Sequence, residues 1–340
     1  MRQARLIFLY LSRTLGVFRL SRWLYRNKVL ILCYHGGAKE RQHEYNGMLY
    51  MRRQTFAHRM DLLSNLNIGC MTLDALQEEF QKNKRRSGKR RSPRVVLTFD
   101  DGWESTFTDL IPELQSRQLP ATIYLHTRPV IEQKKLTHLF FRYQVWTELN
   151  EERVHQGLEP FPGMDDWKSD TDKRALEIEA DRRSAKANDT PHDATNGNVS
   201  AFAYASPDQL RDSASLDGVR LEAHGHDHHH VQNSPEALRN NFQSCSDAFL
   251  ALNLPLPRHY CYPSGEYDKR SGQVLSELGV ISATTCDAGW INPIKPGNKY
   301  YLPRFLDSER YTLLEFEAEL SGFMDLMRRA IKPRGDRDDH

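Results

Sequence analysis

Val95-Val96-Leu97-Thr98-Phe99-Asp100-Asp101-Gly102 runs through five apolar or β-branched residues and stops on two carboxylates and a glycine. A short continuous apolar run closed by a turn signal reads as a strand buried on both faces, the signature of a parallel sheet. Working outward, Val29–Tyr34 reads as a similar strand and Thr55–Leu66 as a helix with Phe56, Met60, Leu62 and Leu63 on one face. Ile68–Leu73 reads as a short strand. Glu104–Gln118 follows as a helix ended by Pro120, and Ala121–His126 as the next strand. Beyond residue 200 the alternation resumes: helix Pro207–Ser215, strand Val219–Ala223, helix Pro235–Asn253, strand His259–Tyr262, helix Lys269–Leu278, strand Ile281–Thr285 and helix Thr312–Ala330. Alternation of this kind demands a parallel sheet, and at least six such units predict a barrel over an open sheet.

The alternation breaks once. Asn150–Ser200 is polar, with Pro160, Pro162 and Pro191 and the tract KANDTPHDATNGN. Such a stretch inside a compact domain predicts a flexible, peripheral insertion. The expected organisation is a basic amphipathic segment over 1–28, a barrel over 29–330 interrupted at about 150–200, and a polar tail over 331–340.

Three segments carry the chemistry, each at the C-terminal end of an expected strand, the edge on which parallel barrels place their sites. Asp100 and Asp101 end the first strand. His224-Gly225-His226-Asp227-His228-His229-His230 follows the strand VRLEA, and the i, i+4 spacing of His224 and His228 lets two imidazoles meet one metal on a helical turn. Tyr262-Pro263-Ser264-Gly265 ends a third strand in a tight turn that can present a backbone N–H to a ligand. One carboxylate and two histidines suffice to hold a divalent metal with open positions, leaving the second carboxylate as a base. Without further information a D-G pair is also an ordinary turn, and a histidine tract an incidental surface feature.

Taken together, TFDDG, the histidine pair and the P-x-G turn resemble the polysaccharide deacetylase family, metal-dependent enzymes that remove N-acetyl groups from aminosugar polymers. The resemblance spans most of residues 29–330 except the segment near 150–200. It implies a distorted (β/α) barrel with seven or eight strands. It also implies Asp100 as general base, Asp101, His224 and His228 as metal ligands, and the Ser264 N–H at the oxyanion position. Zinc fits that ligand set, as do cobalt, nickel or iron. The departures are specific. Gly225 replaces a serine or threonine, and His229 beside His228 leaves the second ligand's register open by one. Cys261 and Ser264 stand where the third motif usually has arginine and an aromatic residue. The family's late histidine is missing, since none follows His259 before His340. One branch, the deacetylases of biofilm poly-N-acetylglucosamine, takes its acid from an early Tyr-His pair; Tyr34-His35 matches it, which carries the acid role to His35. Arg304 in LPRF is the positional candidate to replace the missing arginine beside Asp100.

The expected reaction is hydrolysis of an N-acetyl group on an aminosugar glycan with release of acetate. The alternatives are an O-acetyl esterase or small-amide hydrolase on the same site, or a non-catalytic glycan-binding barrel. Charge bears on partners. The net charge of +2 over 340 residues hides two basic segments, 1–28 and Lys84–Arg94, each with seven Lys/Arg and no acid; the remainder holds 33 bases against 45 acids. In 1–28, Leu15, Phe18, Leu20, Trp23 and Leu24 interleave with Arg13, Arg19, Arg22 and Arg26. That pattern suits an interfacial helix on an anionic membrane or packing onto the domain. Lys84–Arg94 reads as a solvated loop, with an anionic surface as the alternative, and no nucleic-acid module accompanies it. No stretch reaches the ~18 apolar residues of a transmembrane helix. Five dispersed cysteines (33, 70, 245, 261 and 286) read as thiols, so a cytoplasmic location, peripheral at the inner face of a membrane, is expected.

Overall fold

The computed structural model describes residues 2–81, 92–132, 138–164, 170–188, 201–228, 234–295 and 297–331. Most of Lys84–Arg94, His229 and His230, residues 189–200 and nearly all of the expected tail lie outside these. Ten strands are present among the described residues: β1 Val29–Tyr34, β2 Gly36–Ala38, β3 Tyr50–Arg52, β4 Gly69–Cys70, β5 Arg94–Phe99, β6 Ala121–Leu125, β7 Val219–Ala223, β8 His259–Cys261, β9 Ser282–Thr284 and β10 Arg304–Leu306. Eight form one sheet in the order β10-β1-β5-β6-β7-β8-β9, with β4 beside the start of β5; β2 and β3 form a separate parallel pair. Every pairing in the large sheet is parallel. A parallel bridge between Thr284 and Leu302 brings β9 against the approach to β10 and nearly closes the barrel.

Period-two alternation separates two cores. Val29, Ile31 and Val96 join Tyr124, Cys261 and Leu302 inside the barrel. Leu30, Leu32, Tyr34, Val95, Leu97 and Phe99 face outward into the larger core under the helices. Both faces of β1 and β5 are therefore dry, which explains their unbroken apolar runs.

Several expectations are corrected. Ile68–Leu73 is mostly not strand: pairing is confined to β4, and Leu73 already begins the helix Leu73–Gln81. The helix expected over Glu104–Gln118 contains a π-helical turn, Thr106–Leu110, before Ile111–Gln115. The single C-terminal helix is two, Leu313–Leu320 and Phe323–Ile331. Gly322 breaks it at φ 76°, where a Cβ would come within 2.5 Å of the Tyr25 ring. The described parts of Asn150–Ser200, expected as a flexible, peripheral insertion, are largely helical. Helices His138–His155 and Asp170–Asn188 carry Trp146, Leu176 and Ala180 into a second core with Tyr45, Tyr50, Trp103 and Phe202. Asn150, the first residue of that polar stretch, is buried, and its Oδ1 accepts from the Phe161 N–H at 2.6 Å. The aromatic cluster on 139–146 supplied the apolar face that the polar helix 170–188 lacks.

Residues 1–28 fold as two helices, α1 Arg2–Thr14 and α2 Val17–Tyr25. Leu9 and Phe18 pack with Ala318 and Phe323 on the C-terminal helices.

Candidate active site

The C-terminal strand ends deliver the singled-out residues to one place. β5 ends at Phe99, and the Asp100 N–H still bonds the Tyr34 carbonyl at 2.9 Å, while the His224 N–H bonds that of Leu125 at 2.9 Å. Ladder bonds thus run up to the site and fix its backbone. Asp101 (φ 71°), His228 (φ 50°) and Ser264 (φ 55°) all adopt left-handed conformations, each disfavoured by ~1 kcal/mol or more for a residue with a Cβ. Three strained residues at one barrel mouth aim side chains that a relaxed loop would not.

Asp101 Oδ1 lies 3.4 Å from His224 Nε2 and 3.6 Å from His228 Nε2. Donor atoms bound tetrahedrally at about 2.0–2.1 Å stand about 3.4 Å apart, so the spacing matches three ligands around one first-row cation. His224 Nδ1 sits 3.0 Å from the Cys261 carbonyl oxygen. That acceptor holds the proton on Nδ1 and leaves the Nε2 lone pair facing Asp101. Burial, then the neighbouring His224 ring, push His228 below the ordinary histidine range, so its ring is neutral and able to ligate. The two imidazoles meet across a loop, not on the helical turn expected from their spacing. The residues fit a divalent metal. The Gly225 between them is also explained: its φ is 83°, and a Cβ would approach Asn241 Oδ1 to 2.6 Å. That oxygen accepts the His226 N–H at 2.8 Å.

Asp100 is buried and fully engaged. Arg304, itself completely buried, forks onto it, Nη1 to Oδ1 at 2.7 Å and Nη2 to Oδ2 at 2.8 Å. The Cys33 and Cys261 thiols donate toward the same Oδ2 at 3.5 and 3.6 Å. Burial pushes both thiols upward, which keeps them protonated as donors. Burial by itself would raise Asp100, but the attraction of Arg304 and His224 outweighs it and holds the carboxylate well below its usual range. Arg304, from β10, thus pairs with Asp100, the partner expected for it, and Cys261 on β8 lies beside the same carboxylate.

His35 follows β1, its carbonyl held by Thr106 Oγ1 at 2.8 Å from the π-helical turn. One of its ring nitrogens lies within 4.8 Å of the Asp100 carboxylate. Its Nδ1 is buried and has no hydrogen-bond partner. Burial lowers its pKa despite the opposing pull of Asp100 and Asp101. Ser264 lies exposed at the end of β8, in a 3-10 turn whose Gly265 and Glu266 N–H groups bond back to Tyr262 and Pro263. Sequence reading did not single out His126, Trp103 or Tyr204. His126 follows β6, and its ring centroid is 5.5 Å from His228 and 5.8 Å from Tyr204; Trp103 lies 6.0 Å from His35. A strand ending in histidine at the same edge was the available signal for His126.

Comparison with known proteins agrees with this geometry. The sequence matches the polysaccharide deacetylase family over residues 87–159 and 165–283. Comparison with curated protein sequences gives no match. Among solved structures, the chain is similar to the Streptococcus pyogenes deacetylase PplD in complex with acetate. The TM-score is 0.56 and the identity 15%, covering 86% of this chain and 98% of that one. IcaB from Ammonifex degensii gives 0.56 and 15%, covering 87% and 96%. The polysaccharide deacetylase BA0330 from Bacillus anthracis, described as putative, gives 0.55 and 13%, covering 86% and 69%. At these identities the structural likeness is one of fold. The family match extends over more than half of the sequence and takes in both the Asp100-Asp101 pair and the His224–His228 loop, so this chain belongs to the polysaccharide deacetylase family and is a carbohydrate deacetylase.

Proposed function

We propose that the chain removes N-acetyl groups from an aminosugar polysaccharide or oligosaccharide with a divalent metal, zinc foremost, held by Asp101, His224 and His228. The convergence of those three donor groups beside an Arg304-locked Asp100 carries the reading. A bound divalent cation supplies Lewis acidity and lowers the pKa of water from ~15.7 toward ~7.

The chain's own groups do the rest. Asp100, kept ionised by Arg304, accepts the proton of the attacking water. Its depressed pKa makes it a reluctant holder, so the proton taken from water passes on to the neutral His35 ring, and the imidazolium so formed gives it to the departing amine as the C–N bond breaks. The Ser264 N–H, on the strained turn, serves as donor to the acetyl oxygen as it gains charge; such donors contribute ~3–4 kcal/mol in other acyl-transfer sites. The reading includes peripheral contact of residues 1–28 with an anionic membrane surface at the cytoplasmic face, supported by the exposed Leu15, Leu20, Trp23 and Leu24 and by the segment's lack of acids.

Acetate release from N-acetylglucosamine oligomers by metal-quantified protein tests the activity. Chelation should abolish release and added zinc restore it. Asp101→Ala should lose metal and turnover together, whereas Asp100→Asn should keep metal and lose turnover. Release from O-acetylated glycans alone would transfer the assignment to an esterase. Stoichiometric metal in Asp101→Ala would overturn the ligand set.

A further inference from the structure

The α1–α2 pair has two unlike faces. Leu9, Ser12, Phe18, Ser21 and Tyr25 turn inward. Three of the segment's arginines reach back to glutamates of the body: Arg5 pairs with Glu315 at 3.2 Å, and Arg13 and Arg22 with Glu317 at 2.8 and 3.5 Å. Those glutamates are buried, so the charge of these arginines, although Arg5 and Arg13 stay about half exposed, is largely offset by the body of the protein. The outward stripe is apolar. Ile7 and Leu11 on α1 and Leu15 just beyond it recur every four residues, and Leu20, Trp23 and Leu24 form one face of α2, all between 50% and 80% exposed. Alongside runs a groove of ≈ 410 Å³ lined by Leu6, Ile7, Tyr10, Leu11, Thr312 and Leu314.

Arg2, Arg19 and Arg26 remain around this stripe, with Arg26 over the Trp23 ring at 4.3 Å, and neither helix contains an acid. Two copies meeting on this face would bring like charges together. A leaflet bearing anionic headgroups complements the rim cations and accepts the apolar stripe. We infer that α1 and α2 form a bilayer-docking surface that seats by inserting this apolar stripe, with the rim arginines in a minor role; this rests on the peripheral-membrane reading above. Arg2 bonds the Arg310 carbonyl at 3.0 Å, in the loop that follows β10. α1 therefore begins at the catalytic edge, and docking holds the barrel mouth beside the lipid surface. The substrate class favoured is an acetylated glycan attached to, or emerging from, that surface.

Flotation of the full chain with phosphatidylcholine vesicles, with and without phosphatidylglycerol, tests this. Binding should persist on neutral vesicles and rise on anionic ones, with high salt weakening it only a few-fold. Leu15→Glu and Trp23→Glu should each reduce binding about tenfold or more, with unchanged circular dichroism and unchanged acetate release from soluble oligomers. That last readout separates failure of docking from failure of the catalytic reading. Three outcomes overturn the inference: no flotation of the wild-type chain, variants that float equally well, or a wild-type dimer in sedimentation equilibrium that Leu15→Glu dissolves. Binding abolished by salt on anionic vesicles alone would reassign the contact to charge.

Discussion

Asp100 and Arg304 illustrate how little freedom the central carboxylate has. Both are buried, and two parallel N–H···O bonds join them. Removing one partner strands the other charge in a dry barrel, which costs about 3–5 kcal/mol. Arg304→Met should therefore lower the urea-unfolding free energy by that amount, and turnover should collapse. The double variant Asp100→Asn/Arg304→Met should be less destabilised than the sum of the two singles; additive effects would mean that the pair contributes no coupling. Arg304→Lys should not restore turnover, because an ammonium cannot grip both carboxylate oxygens at once. His35 offers a second test at this scale. His35→Asn should retain fold and metal and lose ~10²–10⁴ in rate. Near-normal acetate release by a metal-loaded His35→Asn protein would remove it from the mechanism.

At the scale of elements, the Pro263–Gly265 turn shows how a strand end is shaped for a task. Gly265 has φ 74°, and a Cβ there would lie 2.8 Å from the Cys286 backbone nitrogen. Gly279 has nearly the same φ, 80°, with nothing within 4 Å. Gly279→Ala should cost only the conformational term, about 1–2 kcal/mol, and keep turnover. Gly265→Ala should cost more, shift the neighbouring Ser264 N–H and lose turnover; equal behaviour of the two in thermal melts and rate assays would deny the turn its positioning role. The hairpin of helices 138–155 and 170–188 gives a parallel case. Trp146 is 2% exposed among Tyr45, Tyr143 and Phe202. Trp146→Ala should cost about 3–5 kcal/mol, measured by denaturant unfolding. A loss under 1 kcal/mol would return that hairpin to the periphery.

The whole molecule depends on its first 28 residues more than their composition suggests. Tyr25 donates its hydroxyl to Asp325 at 2.5 Å, and Leu9 and Phe18 complete a core with Phe323. A chain begun at residue 28 would leave Glu315 and Glu317 buried without their arginines and Phe323 uncovered. It should express as aggregate or unfold several kcal/mol more easily, as read by solubility and denaturant midpoint. A soluble truncated protein of wild-type stability would show that the segment is only an appendage. Point variants on the outward stripe, rather than truncation, are therefore the clean probe of membrane contact.

The sequence by itself determined the parallel barrel and most of the candidate site. Dry strands must be apolar throughout, as in VLILCY and RVVLTF, and a metal-type cluster needs scarce residue types packed into short motifs, as in FDD and HGHDH. These signals are local, so they are legible in a single chain. What only the tertiary structure decided was every relation between distant residues. Arg304 reaches Asp100 across 204 positions because β10 closes beside β1. His126 joins His228 because β6 and β7 are neighbours. Helix 170–188, polar along its length, is ordered by an aromatic face made elsewhere. The seven bases of 1–28 look like one electrostatic patch until folding turns three of them onto buried glutamates. Local pattern encodes which groups a segment carries; barrel closure and helix packing choose which of them meet, and that choice is made by the burial of surfaces that no single segment contains.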